Sequence, residues 1–593
     1  MSGQPILSDA AENRQPPLTD EAGWQPVRDD ADEQTSSEET ADAEAPARRN
    51  GFRAFLQTLG EVIRNWGWLF LLLIPVFLVG YYTLFPSRGY FHSDTTDTLM
   101  WAVASHESGT IFNPDFDYAC LLPFGTSLLM NVLIPFFGVT MTTHVIGMFL
   151  FFLFFTLALI WMLRRMNWSW KWISAAVFTE LMICSNSEKL REIFWGHTIY
   201  YSLGVLFIFV GLALLFTCMD KFQKCSETDE PGEKKNARIW LIAAILLLGV
   251  WFLLTCTDQI IAIAIFALPV MGALFCERWL DRDKGLGHRQ NLQALLLFGV
   301  MGAGMVLGYL VTKIAAKDIV AGYEGAFSNY SPMETWTEHL LGFPQAWFTL
   351  LGASMMDGDP LMSVKSVRDL MIVITGVILL VVPVMALCCY KKLDSGRLRI
   401  LVLTYWLMFM LIMIGYIMGK LSSANWRLSP IVAMSAVVTV AFLKWAVSQV
   451  EWQRVMTLLM IPVLVVCTIS AVTIARMPAD NTDRSHLYKL AAGLEANDLD
   501  YGYATFWNAN GLTVVSDSKV RCRSVNIEET GCTPYTYQGC RSWYDNQPGQ
   551  AKYFLLMTEF ERGLMLGSEL DTRKVSEIEI EGYFVWVYND NLF

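Results

Sequence analysis

"WGWLFLLLIPVFLVGYYTLF", residues 66–85, carries no charged side chain. As a helix rising 1.5 Å per residue it reaches about 30 Å, the thickness of a bilayer's hydrocarbon core. In hydrocarbon every backbone N–H and C=O must find its partner within the segment, so this stretch reads as a transmembrane helix. The pattern recurs along the chain. With 66–84 counted first, further spans are expected at 141–163, 170–185, 198–218, 239–256, 258–276, 292–314, 369–390, 400–418, 430–448 and 455–475. Hydrophobic residues make up 54% of the 593 and charged residues 17%, and the mean hydropathy is +0.37. These values exclude a soluble globular protein, and no basic stripe of a nucleic-acid binder is visible.

The net charge of −12 is concentrated at one end. Residues 1–50 are acidic, rich in Pro, Ser and Ala, and poor in large apolar side chains. Such a segment cannot bury enough surface to fold and is expected to be a disordered tail. It lacks the charged-then-apolar order of a secretory signal.

Basic residues gather in every second connection: Arg164, Arg165 and Lys171; Lys221, Lys224, Lys234, Lys235 and Arg238; Arg278, Arg282, Lys284 and Arg289; Lys391, Lys392, Arg397 and Arg399. The positive-inside rule places all four on the cytoplasmic side, and Arg48, Arg49, Arg53 and Arg64 place the N-terminus there. Two crossings must then separate residue 65 from Arg164, and 66–84 and 141–163 supply them. The proline-bearing stretch 121–138, "LLPFGTSLLMNVLIPFFG", is therefore expected to lie along or dip into the outer interface. Residues 85–140, 186–197, 257–258, 315–368, 419–429 and everything after 476 fall outside.

Beyond Arg476 the composition becomes that of a soluble α/β domain, 476–593. "DRSHLYKLAAGLEAND" reads as an amphipathic helix, "LTVVSDSKVRCRSVNI" as a β-hairpin, and "AKYFLLM" and "VSEIEIEGYFVWVY" as further strands. Cys522, Cys532 and Cys540 lack the spacing of a zinc site. An oxidising exterior permits a disulfide between one pair of them, the pairing being open.

Ionisable groups are unevenly spread over the outer loops. The first loop holds "YFHSDTTDTLMWA", with His92, Asp94 and Asp97; a helical spacing of three sets both carboxylates on one face. The second, "SNSEKLREIFWGHTIYY", holds Glu188, Lys189, Arg191, Glu192 and His197. Asp258 stands in a tight hairpin, and Arg427 in "SSANWRLSP". Taken singly, each has an ordinary reading as a paired or solvated charge.

Their order along the chain resembles the GT-C membrane glycosyltransferases, in particular the protein mannosyltransferase and aminoarabinose transferase group. "HSDTTDTLMWA" occupies the place of that family's first-loop aspartate, although Thr95 follows Asp94 where an adjacent acidic residue is commoner. "LLPFGTSLLMNVLIPFFG" is similar to its proline-led amphipathic stretch, "EKLREIF" to its second acidic site, and "NWRLSPIVAM" to its late arginine motif. A soluble outer C-terminal domain completes the layout. The resemblance implies a GT-C-like fold of about 11 transmembrane helices over residues 60–475, and an inverting transfer from a polyprenyl-phosphate sugar to a glycan, lipid or protein acceptor on the outer face. It implies Asp94 as general base with Asp97 as its alternative or orienting partner. Glu188, Glu192, His197 and Asp258 would bind substrate, and Arg427 would hold the lipid phosphate. Trp101, Trp195 and Trp426 would be stacking candidates. Some members use a divalent cation, Mg or Mn, and others none; Asp94, Glu188 and Glu192 would be its ligands. A cell-membrane location and a role in cell-envelope polysaccharide or glycoconjugate assembly follow from the same likeness. Two other classes stand beside it. A transporter or flippase of lipid-linked precursors would need charges near the bilayer midplane. A glycan ligase or polymerase would use the 315–368 loop, with Lys317, His339, Lys365 and Arg368.

Overall fold

The computed structural model describes residues 45–593 except 126, 198, 280–288, 320, 323–328, 355–358, 421–423 and 450. The acidic tail expected at 1–50 lies almost wholly outside these. Residues 1–64 form one unit, and residues 65–593 form the second, which carries the architecture described below.

Among the described residues, ten helices are long and apolar enough to cross a membrane. They include α1 (Asn65–Leu84) and α4 (Met141–Arg165), and run on through Tyr200–Glu227 to Gln453–Ala475. The chain is a multi-pass membrane protein. The expected span at 170–185 is a 14-residue helix, α5 (Trp170–Ile183), shorter than the rest. It still connects the two ends of the bundle. Just before it, Arg165 pairs with Asp220 at 3.4 Å; just after it, Glu192 lies 3.6 Å from His92. Its length suffices because it is enclosed by protein: Ile173, Val177, Leu181 and Ile183 are fully buried. The basic connections also meet at one end, where Arg165 and Arg397 flank Asp220 and Arg278 and Arg399 flank Glu277.

The stretch that the charge pattern kept out of the count forms α3 (Ser127–Phe137), 11 residues long. That is about 16 Å, half of what a crossing needs. Leu128, Val132 and Phe136, four apart, are 51%, 59% and 76% exposed, so one face is left for lipid. Met130, on another face, is buried against Gly147 of α4.

After the last span the chain folds into a six-stranded sheet in the order β3-β2-β1-β4-β6-β5. Its strands are β1 (Tyr501–Ala504), β2 (Arg521–Glu528), β3 (Gly531–Pro534), β4 (Tyr553–Met557), β5 (Ser576–Ile580) and β6 (Tyr583–Tyr588). β1 pairs in parallel with β2 and β4; the other pairings are antiparallel. The β5–β6 turn is Glu581–Gly582, both at positive φ, as a tight two-residue hairpin requires. The hairpin expected at 512–527 is not formed. Leu512 to Val515 finish the helix Phe506–Val515, and only β2 is a strand. The β-branched run suits a strand, but every residue from Asn508 to Val515 is buried, and packing on all sides overrides local preference. Cys522, Cys532 and Cys540, for which the sequence left a disulfide open, are free thiols in this structure.

This sheet does not stand apart from the loop between α1 and α4. Phe91, Leu99, Trp101, Phe116 and Met141 share one apolar core with Leu490, Tyr503, Leu512 and Cys540. Polar contacts seal the seam. Arg541 pairs with Asp117 at 2.7 Å, the Ser542 N–H donates to Asp115 at 3.0 Å, and Trp543 Nε1 donates to Glu107 at 3.1 Å. Gly89 abuts Asn481, and a Cβ there would overlap the Asn481 carbonyl. Gly89→Val is accordingly expected to cost about 1–3 kcal/mol by overpacking, read as a lower thermal midpoint of the detergent-solubilised protein. Gly299→Ala, which enters open space within a helix, does not lower the midpoint.

Candidate active site

The turn bearing Asp94 is built by the threonines around it. The Thr95 hydroxyl accepts from the His92 N–H at 3.1 Å and donates to the His92 carbonyl at 2.6 Å. The Thr96 hydroxyl donates to the Ser93 carbonyl at 2.6 Å. These bonds close a 3₁₀ turn, Ser93–Thr96, that runs into α2 (Asp97–Ser108). α2 ends at Gly109 in the left-handed conformation, φ +67°. Ser93 packs beneath Gly511 of the C-terminal domain, so the aspartate turn is covered by the sheet domain.

Facing it is the loop that follows α5. Ser187 caps a helical turn, Glu188–Arg191, by accepting from the Leu190 N–H. The chain then widens into a π-turn over Glu192–Gly196. Such turns re-aim side chains and recur at functional sites. Glu192 here approaches His92 at 3.6 Å and accepts from Lys189 Nζ at 2.6 and 2.8 Å. Lys189 lies in turn 5.1 Å above the Trp426 ring, next to Arg427. One lysine therefore joins the aspartate turn, the second loop and the 419–429 turn.

Burial raises the Asp94 carboxyl above its ordinary range; the His92 charge opposes this and the Glu192 charge adds to it. Asp97 is raised much further by burial and by the Asp94 charge, and its Oδ1 is buried without a hydrogen-bond partner. Glu192 behaves oppositely. Its burial is outweighed by the His92 hydrogen bond, Lys189, and the charges of His92 and His197, which hold it at about 2. Burial lowers His197 to about 4, against the pull of Glu192, so its imidazole is neutral at ordinary pH. The site thus pairs a permanently ionised Glu192 with a carboxyl, Asp94, made more basic than usual.

Of the residues expected from sequence, Asp94, Asp97, Glu188, Glu192 and His197 come together, and Arg427 joins them through Trp426 and Lys189. Asp258 does not. Its two oxygens accept from the backbone N–H groups of Phe124 (2.9 Å) and Gly125 (3.0 Å), which pins the approach to α3. Burial, against those two hydrogen bonds, raises it to about 8. These bonds tie it to the approach to α3 and away from the aspartate turn. Trp101 and Trp195 are also withdrawn from stacking: both are fully buried, donating to Gln538 and to Ser185. Trp426 remains partly exposed. In the 315–368 loop, His339 contacts the Ile417 carbonyl, Lys365 pairs with Asp359 and Arg368 with Asp369; these groups do not converge.

Sequence reading missed Arg484, which lies 4.5 Å over the Tyr90 ring and 3.9 Å from Glu188. It also missed His144, inside α4, which edges the same small space with Tyr82, Tyr90, His92 and Glu192. Nothing local marks Arg484. Only the return of the C-terminal segment onto Gly89 brings it there.

That space is about 40 Å³, room for a water or two. A larger cavity of about 240 Å³ opens beside Arg427, lined by Tyr200, Tyr201, Ile261, Ile265 and Tyr416. No group of three or more His, Cys, Asp or Glu converges as a metal site among the described residues. Glu192, one of the ligands the resemblance implied, is paired with Lys189 in this structure.

No known family model matches the chain, and no characterised protein matches it in sequence. Two solved structures align with it, both of ArnT from Cupriavidus metallidurans, an aminoarabinose transferase of the GT-C family. The form bound to undecaprenyl phosphate gives a TM-score of 0.49, and the apo form 0.37. Each is 12% identical, over 88% of this chain and 98% of that one. At that identity and those scores, no residue assignment rests on the likeness.

A stability test of the site follows from Asp97. A carboxyl whose folded pKa is raised loses stability as pH climbs above its unfolded value, 3.8, because folding then opposes ionisation. Asp97→Asn removes that dependence. Its thermal midpoint is expected to exceed that of the wild type at pH 8, with the gap narrowing towards pH 4 in parallel melts.

Proposed function

We propose that the chain is an integral membrane glycosyltransferase, moving a sugar from a polyprenyl-phosphate-linked donor to an acceptor at the outer face of the membrane. The N-terminus lies in the cytoplasm in this reading, and the C-terminal domain outside. The observation that carries it is the placement of Lys189, which binds Glu192 beside the aspartate turn and lies over Trp426, the neighbour of an arginine that lines a largely apolar cavity.

The chemistry divides between those two ends. The donor's phosphate sits against Arg427, whose planar guanidinium offers two parallel hydrogen bonds to phosphate oxygens. Its prenyl chain runs along Ile261, Ile265 and Tyr416 towards the bilayer. Asp94 accepts the proton of the acceptor hydroxyl as that oxygen attacks the anomeric carbon. The bond from that carbon to the phosphate oxygen breaks, and its electron pair leaves with the lipid phosphate. One displacement inverts the anomeric centre, with no covalent glycosyl-enzyme. Lys189 holds Glu192 ionised and in place, and the raised Asp94 provides a base better matched to neutral pH than an ordinary aspartate. No step is routed through a metal. Among the described residues of the 315–368 loop, Lys365 and Arg368 are paired with acids and His339 with a backbone carbonyl, which does not favour the ligase reading.

Asp94→Asn is expected to lower transfer by roughly a hundred- to ten-thousand-fold, while the donor lipid accumulates. Mass spectrometry of surface glycans and lipid-linked sugars from a complemented deletion strain reads both. Full complementation would remove Asp94 from the reaction. Arg427→Ala should act on donor KM by about tenfold or more.

The base works ionised, so kcat/KM falls as pH drops through the Asp94 pKa. Lys189 lowers that pKa; Lys189→Met should therefore move the acidic limb of the pH–rate profile upward. A limb that stays fixed would separate Lys189 from the base.

A further inference from the structure

At the end of the bundle opposite Asp94, four arginines meet two carboxylates. Arg165, at 3.4 Å, and Arg397 share Asp220; Arg278, at 3.0 Å, and Arg399, at 3.2 Å, share Glu277. Among the described residues, each group sets two arginines against one carboxylate. The Glu277 side chain is 4% exposed and that of Arg397 14%, so water screens this surplus poorly. Partly buried cations without a full complement of anions are costly.

Between the two groups lies a cavity of about 590 Å³. Its lining mixes polar groups, among them Arg278, Arg397 and Gln293, with the apolar side chains Phe222, Leu274 and Leu297. A soluble anion would satisfy the polar groups and leave the apolar ones against water. An amphiphile satisfies both. Basic pockets between helix ends are also where net-negative lipid headgroups bind.

We propose that this cavity binds a lipid whose headgroup is a net-negative phosphate, seated between Arg278 and Arg397 with its first methylenes along Phe222, Leu274 and Leu297. The site is separate from the Arg427 cavity and does not depend on the transfer reaction. Its chemistry suits two sources, an anionic glycerophospholipid of the surrounding leaflet or a polyprenyl phosphate.

The test uses the full chain in detergent, in an Arg427→Ala background so that the other proposed phosphate site is silent. Native mass spectrometry follows bound phosphatidylglycerol, undecaprenyl phosphate and, as a net-neutral control, phosphatidylcholine. Retention of either anionic lipid at least tenfold above the control is expected, and the stronger of the two names the source. Arg278→Gln should reduce that retention about tenfold. Ala294→Phe, which fills the cavity from a lining position without touching charge, should abolish it, and it carries the test should Arg278→Gln fail to fold. Equal retention of phosphatidylcholine, unchanged retention in both variants, or complete displacement by millimolar inorganic phosphate would each overturn the proposal.

Discussion

The apolar core shared by the loop between α1 and α4 and the C-terminal domain is the constraint on which the site depends. Asp94 sits on a turn of four residues, too short to be stable alone. Its threonine hydroxyls close the turn locally, but Ser93 beneath Gly511 and Trp101 bonded to Gln538 fix where it stands. The same burial that positions the aspartates raises their pKa values. Packing and chemistry are one effect here: displacing the C-terminal domain would both release the turn and return Asp94 to an ordinary acid.

The membrane imposes the complementary constraint. Backbone groups in hydrocarbon must be paired within helices, so functional irregularity is confined to the bundle's ends. The π-turn at Glu192–Gly196 lies beside the aspartates, and a second, at Ile263–Ala267, lines the Arg427 cavity. Both occur where a helix emerges beside other protein, which lets their backbone depart from regular pairing. α5 obeys the same logic, since protein surrounds it and relieves it of matching the bilayer's thickness.

Charge is distributed between the two ends by different rules. At the end bearing Asp94, Lys189 is shared between the Glu192 carboxylate and the Trp426 ring, while Asp97 is buried with one oxygen unpartnered. At the opposite end, among the described residues, four arginines contact two carboxylates. The first arrangement tunes protonation; the second leaves a surplus to be answered by a ligand.

Composition, apolar run length and the alternation of basic connections were enough to read a polytopic helical protein, to deny 121–138 a crossing, and to place a strand-bearing domain after the last span. Those features follow from local energetics: transfer into lipid, charge at the interface, and side-chain period. The aspartate turn, the second acidic loop and Arg427 were also legible, because ionisable groups beside apolar spans are conspicuous. What only the tertiary structure decided was their partnership. Asp258 looks as promising in sequence as Glu192, yet it holds two backbone amides while Glu192 faces His92 and Lys189. The buried run at 512–515 prefers a strand locally but completes a helix because its neighbours enclose it. Arg484 enters the site from a segment nearly four hundred residues beyond Asp94. Long-range packing determines such contacts, and no window of sequence contains them.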